Sequence, residues 1–193
     1  MSNGREMMRF LTSTFGAIMA CLMLALPVAA AELGDDGLHK EPWFQDTFKD
    51  MSDDLASAND AGKRFLVIWE QRGCIYCKKM HEEVFSDPEI AKFITENYYV
   101  VQMNLFGDVE VTDFDGESLP EKDMAMKWGV MFTPTMMFFP ESVDGGAANK
   151  AAVAQMPGAF GKGTTKALLT WVKNHGYESG QNFQKYVAEQ MAQ

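Results

Sequence analysis

The sequence predicts an α/β domain in which a mixed β-sheet is flanked by helices, and three observations carry that reading. Short apolar runs rich in branched and aromatic residues alternate with longer runs whose apolar residues recur at helical spacing. A helical stretch joins the first two strand-like runs, which makes them a parallel pair. A short turn separates the last two, which makes them an antiparallel hairpin.

The chain opens on a segment outside this pattern. Arg5 and Arg9 mark a basic start, Leu11 to Ala31 carries no charge, and Pro27 is followed by small residues up to Glu32. Residues 1–31 therefore read as a secretory signal peptide cut after Ala30 or Ala31. An uncleaved anchor is the alternative, since the run is long enough to span a bilayer; Pro27 and the alanine cluster favour cleavage. Residues 32–45, with Gly34, Gly37 and Pro42, are expected to be a flexible, irregular lead-in, and residues 46–193 the folded domain.

Within the domain, Phe48, Met51, Leu55 and Ala58 lie at helical spacing over Asp46 to about Asn59. Arg64 to Trp69 is a buried strand. Cys74 to about Phe85 reads as a helix, and Ser86-Asp87-Pro88 starts a second one. Tyr98 to Met103 is the next strand. Gly107 to Glu121 is a polar insertion, expected to form a small hairpin or turn rather than core. Its aspartates suggest calcium, but with Gly116 as the loop glycine the outer ligand positions fall on Val111 and Lys122, so the motif fails. Pro120 to Trp128 is helical, Met136 to Phe139 a third strand, Ser142 to Asn149 a turn, and Ala151 to Met156 a fourth strand stopped by Pro157. Helices from Thr164 to His175 and from about Gln181 complete the chain.

Composition narrows the function. Hydrophobic residues make up 47% and charged residues 23% of the 193 residues, which excludes wholesale disorder. The net charge is −10, so binding to nucleic acid through the overall field is not expected. Loss of residues 1–31 removes Cys21 and leaves Cys74 and Cys77 as the only thiols, a single C-x-x-C pair. Export without glycosylation sequons or further cysteines suits a bacterial periplasm, with no membrane insertion after cleavage.

Cys74-Ile75-Tyr76-Cys77 falls where a strand ends and a helix begins. Free amide groups at a helix start favour a thiolate on the first cysteine, and Arg72, Lys78 and Lys79 push the same way. The spacing lets the second thiol attack a mixed disulfide formed at the first, the ordinary route of thiol–disulfide exchange. Cys74 is the attacking sulfur on this reading and Cys77 the resolving one; Ile75 and Tyr76, between them, are candidates for substrate contact. Other uses of the motif fit less well. Lys78 stands where c-type haem attachment needs a histidine. A zinc or copper module would have to use Cys74, Cys77 and His81, one ligand short of the usual structural set, and a lone helical histidine is more often a surface residue. An inert structural bridge would close too short a loop to constrain much.

The C-x-x-C opening a helix, followed by Thr133-Pro134-Thr135 entering a strand and Gly158 to Gly163 before the last core helix, resembles the thioredoxin superfamily over about residues 46–176. The resemblance implies a thioredoxin-like fold with an N-terminal helix, the polar insertion and an added C-terminal helix. It implies also that Pro134 is a cis proline lying against the cysteines, with the Thr133 backbone left free to pair with a substrate strand. Gly73 to His81 followed by Val84 to Pro88 is similar to the exported thioredoxins of the SoxW type and to the C-terminal domain of the membrane reductase DsbD. Such proteins take electrons from a membrane carrier and reduce protein disulfides outside the cytoplasm, the SoxW group in sulfur oxidation. A monomer with no cofactor beyond the Cys74–Cys77 pair is expected, acting as reductant, with a disulfide donor or isomerase as the alternative.

Three departures from the family pattern stand out. The tryptophan before the first cysteine is Gly73, the Gly-Pro between the cysteines is Ile75-Tyr76, and the buried aspartate six residues before the first cysteine is Ile68. Glu70, two residues on and so on the same strand face, is the candidate to take that aspartate's place as proton acceptor; exposure at the strand end is the competing reading.

Overall fold

The computed structural model describes residues 32–191, so the predicted leader lies outside the described residues. The chain runs β1 (Glu32–Leu33), β2 (His39–Lys40), β3 (Phe44–Gln45), α1 (Met51–Asp60), β4 (Arg64–Glu70) and α2 (Ile75–Lys79). Helix α2 continues as π-helical turns over Met80–Phe85, and α3 (Pro88–Asn97) and β5 (Tyr98–Asn104) follow. Next come β6 (Glu110–Thr112), β7 (Ser118–Pro120), α4 (Glu121–Trp128), β8 (Thr135–Phe138), α5 (Ala148–Ala151), β9 (Ala154–Pro157), α6 (Lys162–Lys173) and α7 (Phe183–Met191).

The central sheet has the order β3-β5-β4-β8-β9. Strands β3, β5 and β4 are parallel, while β8 and β9 run antiparallel to their neighbours; the β4–β5 and β8–β9 directions are those the connection lengths predict. Alternation along β4 divides the core. Leu66 and Ile68 pack with Met80, Phe85, Ile90, Leu168 and Trp171 on the face covered by α2, α3 and α6. Phe65, Val67 and Trp69 face α1 and α4, against Met51, Leu55, Met124 and Trp128. Both long strands end on the same side, and the C-x-x-C follows β4 there.

Local signals explain the helix starts. Asp87 accepts the amides of Glu89 and Ile90, with Pro88 in the first turn of α3. Asp50 caps α1 by accepting the amides of Ser52 and Asp53. That cap puts Phe48 outside the helix, where it is 99% exposed instead of sharing the buried stripe with Met51 and Leu55.

Three further expectations are corrected. Residues 32–45 are not irregular: β1 and β2 form a hairpin, β3 adds to the sheet along Val100 and Val101, and Leu38 and Trp43 are buried. The turn predicted over 142–149 runs into the single-turn helix α5, so the last strand starts at Ala154 rather than Ala151. The insertion is a hairpin, β6 with β7, but it reaches the core through Val111 and Asp113. Asp113 accepts hydrogen bonds from the Ala148 amide at 2.9 Å and the Trp128 indole at 2.8 Å. Lys127 pairs with Asp113, Asp115 and Glu117 together, so an ammonium group sits among the carboxylates that invited a calcium reading.

Candidate active site

Gly73 turns the chain out of β4 with φ of +70°, a left-handed conformation that glycine adopts without penalty. This gives a backbone reason for glycine where the family has tryptophan. Cys74 then caps α2, and the two cysteines are joined as a disulfide with Cα atoms 5.2 Å apart. The sulfurs differ in surroundings. Cys74 keeps 8% of its surface exposed against 1% for Cys77. Cys74 Sγ accepts the Cys77 amide at 2.9 Å and the Thr133 hydroxyl at 3.3 Å. Donors aimed at one sulfur stabilise the negative charge it carries once the bond opens, which marks Cys74 as the better leaving group of the two.

The fold brings the second half of the motif to the first. The Thr133–Pro134 peptide is cis, the Thr133 carbonyl oxygen lies 3.5 Å from Cys74 Sγ, and the Pro134 carbonyl accepts the Gly158 amide at 2.7 Å. Ile75 and Tyr76 are both exposed, as are Met131 and Phe132 on the loop leading to Thr133. Met131 and Phe132 stand on the loop that carries Thr133 to the disulfide. Met124, Met136 and Met137 are buried, whereas Met126 is exposed.

Glu70 is buried, not exposed at the strand end. One carboxylate oxygen lies 2.8 Å from His81 Nε2 and the other accepts the Gln102 side-chain amide at 2.6 Å. His81, expected at the surface, is 1% exposed, and its Nδ1 lies 2.8 Å from Glu41 on the N-terminal segment. The His39 ring stacks 4.9 Å from it. An imidazole with a carboxylate on each nitrogen donates from both and so holds two protons. Burial pulls its pKa down, but the hydrogen bonds and charges of Glu41 and Glu70 outweigh that and raise it to about 9. The signal for His81 in the sequence was its position four residues after Cys77, in line with the buried Val84; its partner Glu41 gave none. The same contacts occupy both ring nitrogens of His81, each facing a carboxylate oxygen. Among the described residues no group of three or more His, Cys, Asp or Glu side chains is placed to hold a metal ion.

A sheet of this order with a C-x-x-C at the start of the helix after its central strand, facing a cis proline, defines the thioredoxin-like class. Residues 51–170, well over half the chain, match the thioredoxin-like domain family, and the chain belongs to it. Among solved structures it is similar to a thioredoxin-fold protein from Helicobacter pylori, at 16% identity and a TM-score of 0.52 over 73% of this chain and 98% of that one. It is similar also to a thioredoxin from Thermus thermophilus, at 22% identity and 0.51 over 68% and 89%. The oxidised C-terminal domain of DsbD from Neisseria meningitidis matches at 12% identity and 0.42 over 64% and 90%. No functionally curated protein matched the chain.

Proposed function

We propose that the protein is an exported thiol–disulfide oxidoreductase that reduces protein disulfides in the periplasm, in the manner of the SoxW type. The observation that carries this reading is the asymmetry of the pair: Cys74, the more exposed of the two, has two donors on its sulfur beside the Thr133–Pro134 backbone and exposed apolar side chains, over a more deeply buried Cys77. In the reduced protein the Cys74 thiolate attacks a substrate disulfide, forming a mixed disulfide and releasing one substrate thiolate, which takes up a proton. Cys77 passes its proton to Glu70 and attacks Cys74 Sγ. The Cys74–Cys77 bond forms, the second substrate thiolate leaves, and two electrons have moved from protein to substrate. Ile75, Tyr76 and Thr133 hold the substrate chain across Pro134. A membrane carrier restores the dithiol, and the leader supplies the route of export.

Equilibration with glutathione or dithiothreitol mixtures tests the direction. A potential near about −270 mV is expected of a reductant, whereas one near about −120 mV would make the protein a disulfide donor and overturn the assigned direction. Cys77→Ala should trap periplasmic substrates as mixed disulfides on Cys74, and recovery of none would count against the enzyme reading altogether.

A further inference from the structure

We propose that His81 and Glu41 are positioning residues of the redox centre: with Glu70 they form a buried carboxylate–imidazolium–carboxylate unit that sets how readily Cys77 gives up its proton. The inference rests on the reading of Cys74–Cys77 as a working dithiol. Its substance is geometric. Cys77 lies in α2 and His81 in the π-helical turns that continue it, and both are buried. Glu70 comes from the end of the strand that delivers Cys74, and Glu41 from the segment before the family match. The three are linked at 2.8 Å and 2.8 Å.

The groups facing His81 are known from each element around it. The N-terminal segment contributes Glu41 and, through ring contacts, His39 and Phe44. Strand β4 contributes Glu70, and the π-helical turns contribute Phe85. Gln102 on β5 is neutral; it ties Glu70 to the His39 carbonyl and takes a hydrogen bond from Lys40, which pairs with Asp36. With both carboxylates ionised and the imidazole charged, Glu41, His81 and Glu70 together carry one negative charge. The hydrogen bond from His81 fixes one oxygen of Glu70 and sets a cation beside the acceptor that the Cys77 proton must reach. Removing the cation and removing the outer anion must therefore act on Cys77 in opposite directions.

Rapid mixing of the reduced full-length mature protein with Ellman's reagent separates the two cysteines. Attack by Cys74 releases one thionitrobenzoate and leaves the other on Cys74; attack by Cys77 releases the second and forms the protein disulfide. The second phase is unimolecular, and its pH profile reports the acidity of Cys77. His81→Gln should move that profile to higher pH and slow the second phase about tenfold or more at pH 7, the order of effect that one charge within ~4–6 Å exerts. Glu41→Gln should move the profile to lower pH, and Glu41→Asp should restore it. The first phase stays at the wild-type rate in all three, which damage to the fold would not respect. If His81→Gln does not fold, the Glu41 variants decide alone. Second phases unchanged, or shifted in the same direction by both substitutions, would overturn the inference. A wild-type protein that releases no second equivalent would instead overturn the dithiol reading beneath it.

Discussion

Asp113 holds together three pieces of chain that the sequence treats as separate, and removing its side chain should be among the costliest changes outside the redox centre. One oxygen accepts the buried Ala148 amide at 2.9 Å, the other the buried Trp128 indole N–H at 2.8 Å, and Lys127 pairs with it at 2.8 Å. In Asp113→Ala the amide and the indole lose their acceptor inside the fold, and an orphaned buried donor costs about 1–3 kcal/mol. Lys127 keeps Asp115 and Glu117, so its share is small. The sum is about 2–6 kcal/mol, a large part of the ~5–15 kcal/mol that holds a domain folded. Asp113→Asn sharpens the test. An amide has one oxygen, so its NH2 must face either the Ala148 amide or the Trp128 indole and Lys127, donor against donor. A loss of about 1 kcal/mol or more is expected even there. Urea unfolding followed by tryptophan fluorescence gives both values. An alanine variant within ~1 kcal/mol of wild type, or an asparagine variant equal to it, would refute the account.

Two further outcomes follow from titrating groups. Asp54 is 4% exposed with the Thr47 hydroxyl at 3.1 Å, and burial, reinforced by Asp50 and Asp53, lifts its pKa to about 6. Ionisation is therefore harder in the folded than in the unfolded chain, and Asp54→Asn should stabilise the protein by about 1–3 kcal/mol above pH 6 and much less near pH 4, measured by unfolding at the two values. For His81 the sign is reversed. Its folded pKa of about 9 lies above the ordinary 6.5, so the contribution is complete below pH 6.5 and lost as pH rises through 9. Unfolding free energies should fall by up to about 3 kcal/mol across that window, and His81→Gln should flatten the fall; an unchanged slope would contradict the buried imidazolium.

What could be read in the sequence was whatever rests on nearest neighbours in the chain or on period. Strand β4 is a continuous apolar run, α3 announces itself through Asp87-Pro88, and the C-x-x-C and Thr133-Pro134 marked two segments that the fold brings together. Most of the misses share one cause, dependence on contacts distant in sequence. Strands of two residues, such as β3, show no periodicity; they exist because β5 offers an edge. Phe48 fitted a helical stripe, yet Asp50 accepting the Asp53 amide ends that stripe two residues later, a cap the sequence did display. Asp113 and His81 looked like solvated polar residues because their partners, Ala148 and Glu41, lie 35 and 40 positions away.

The stretch recognisable as the family, residues 51–170, is smaller than the piece that folds. Trp43 packs edge-on against Phe85 ahead of it, and Trp171 packs against Phe183 behind it. A chain trimmed to the recognisable stretch would bare both apolar flanks and strip Glu41 from the imidazole it faces, leaving a disulfide intact in covalent terms inside an altered electrostatic setting. Kinship and self-sufficiency have different borders here, and Glu41 sits in the margin between them.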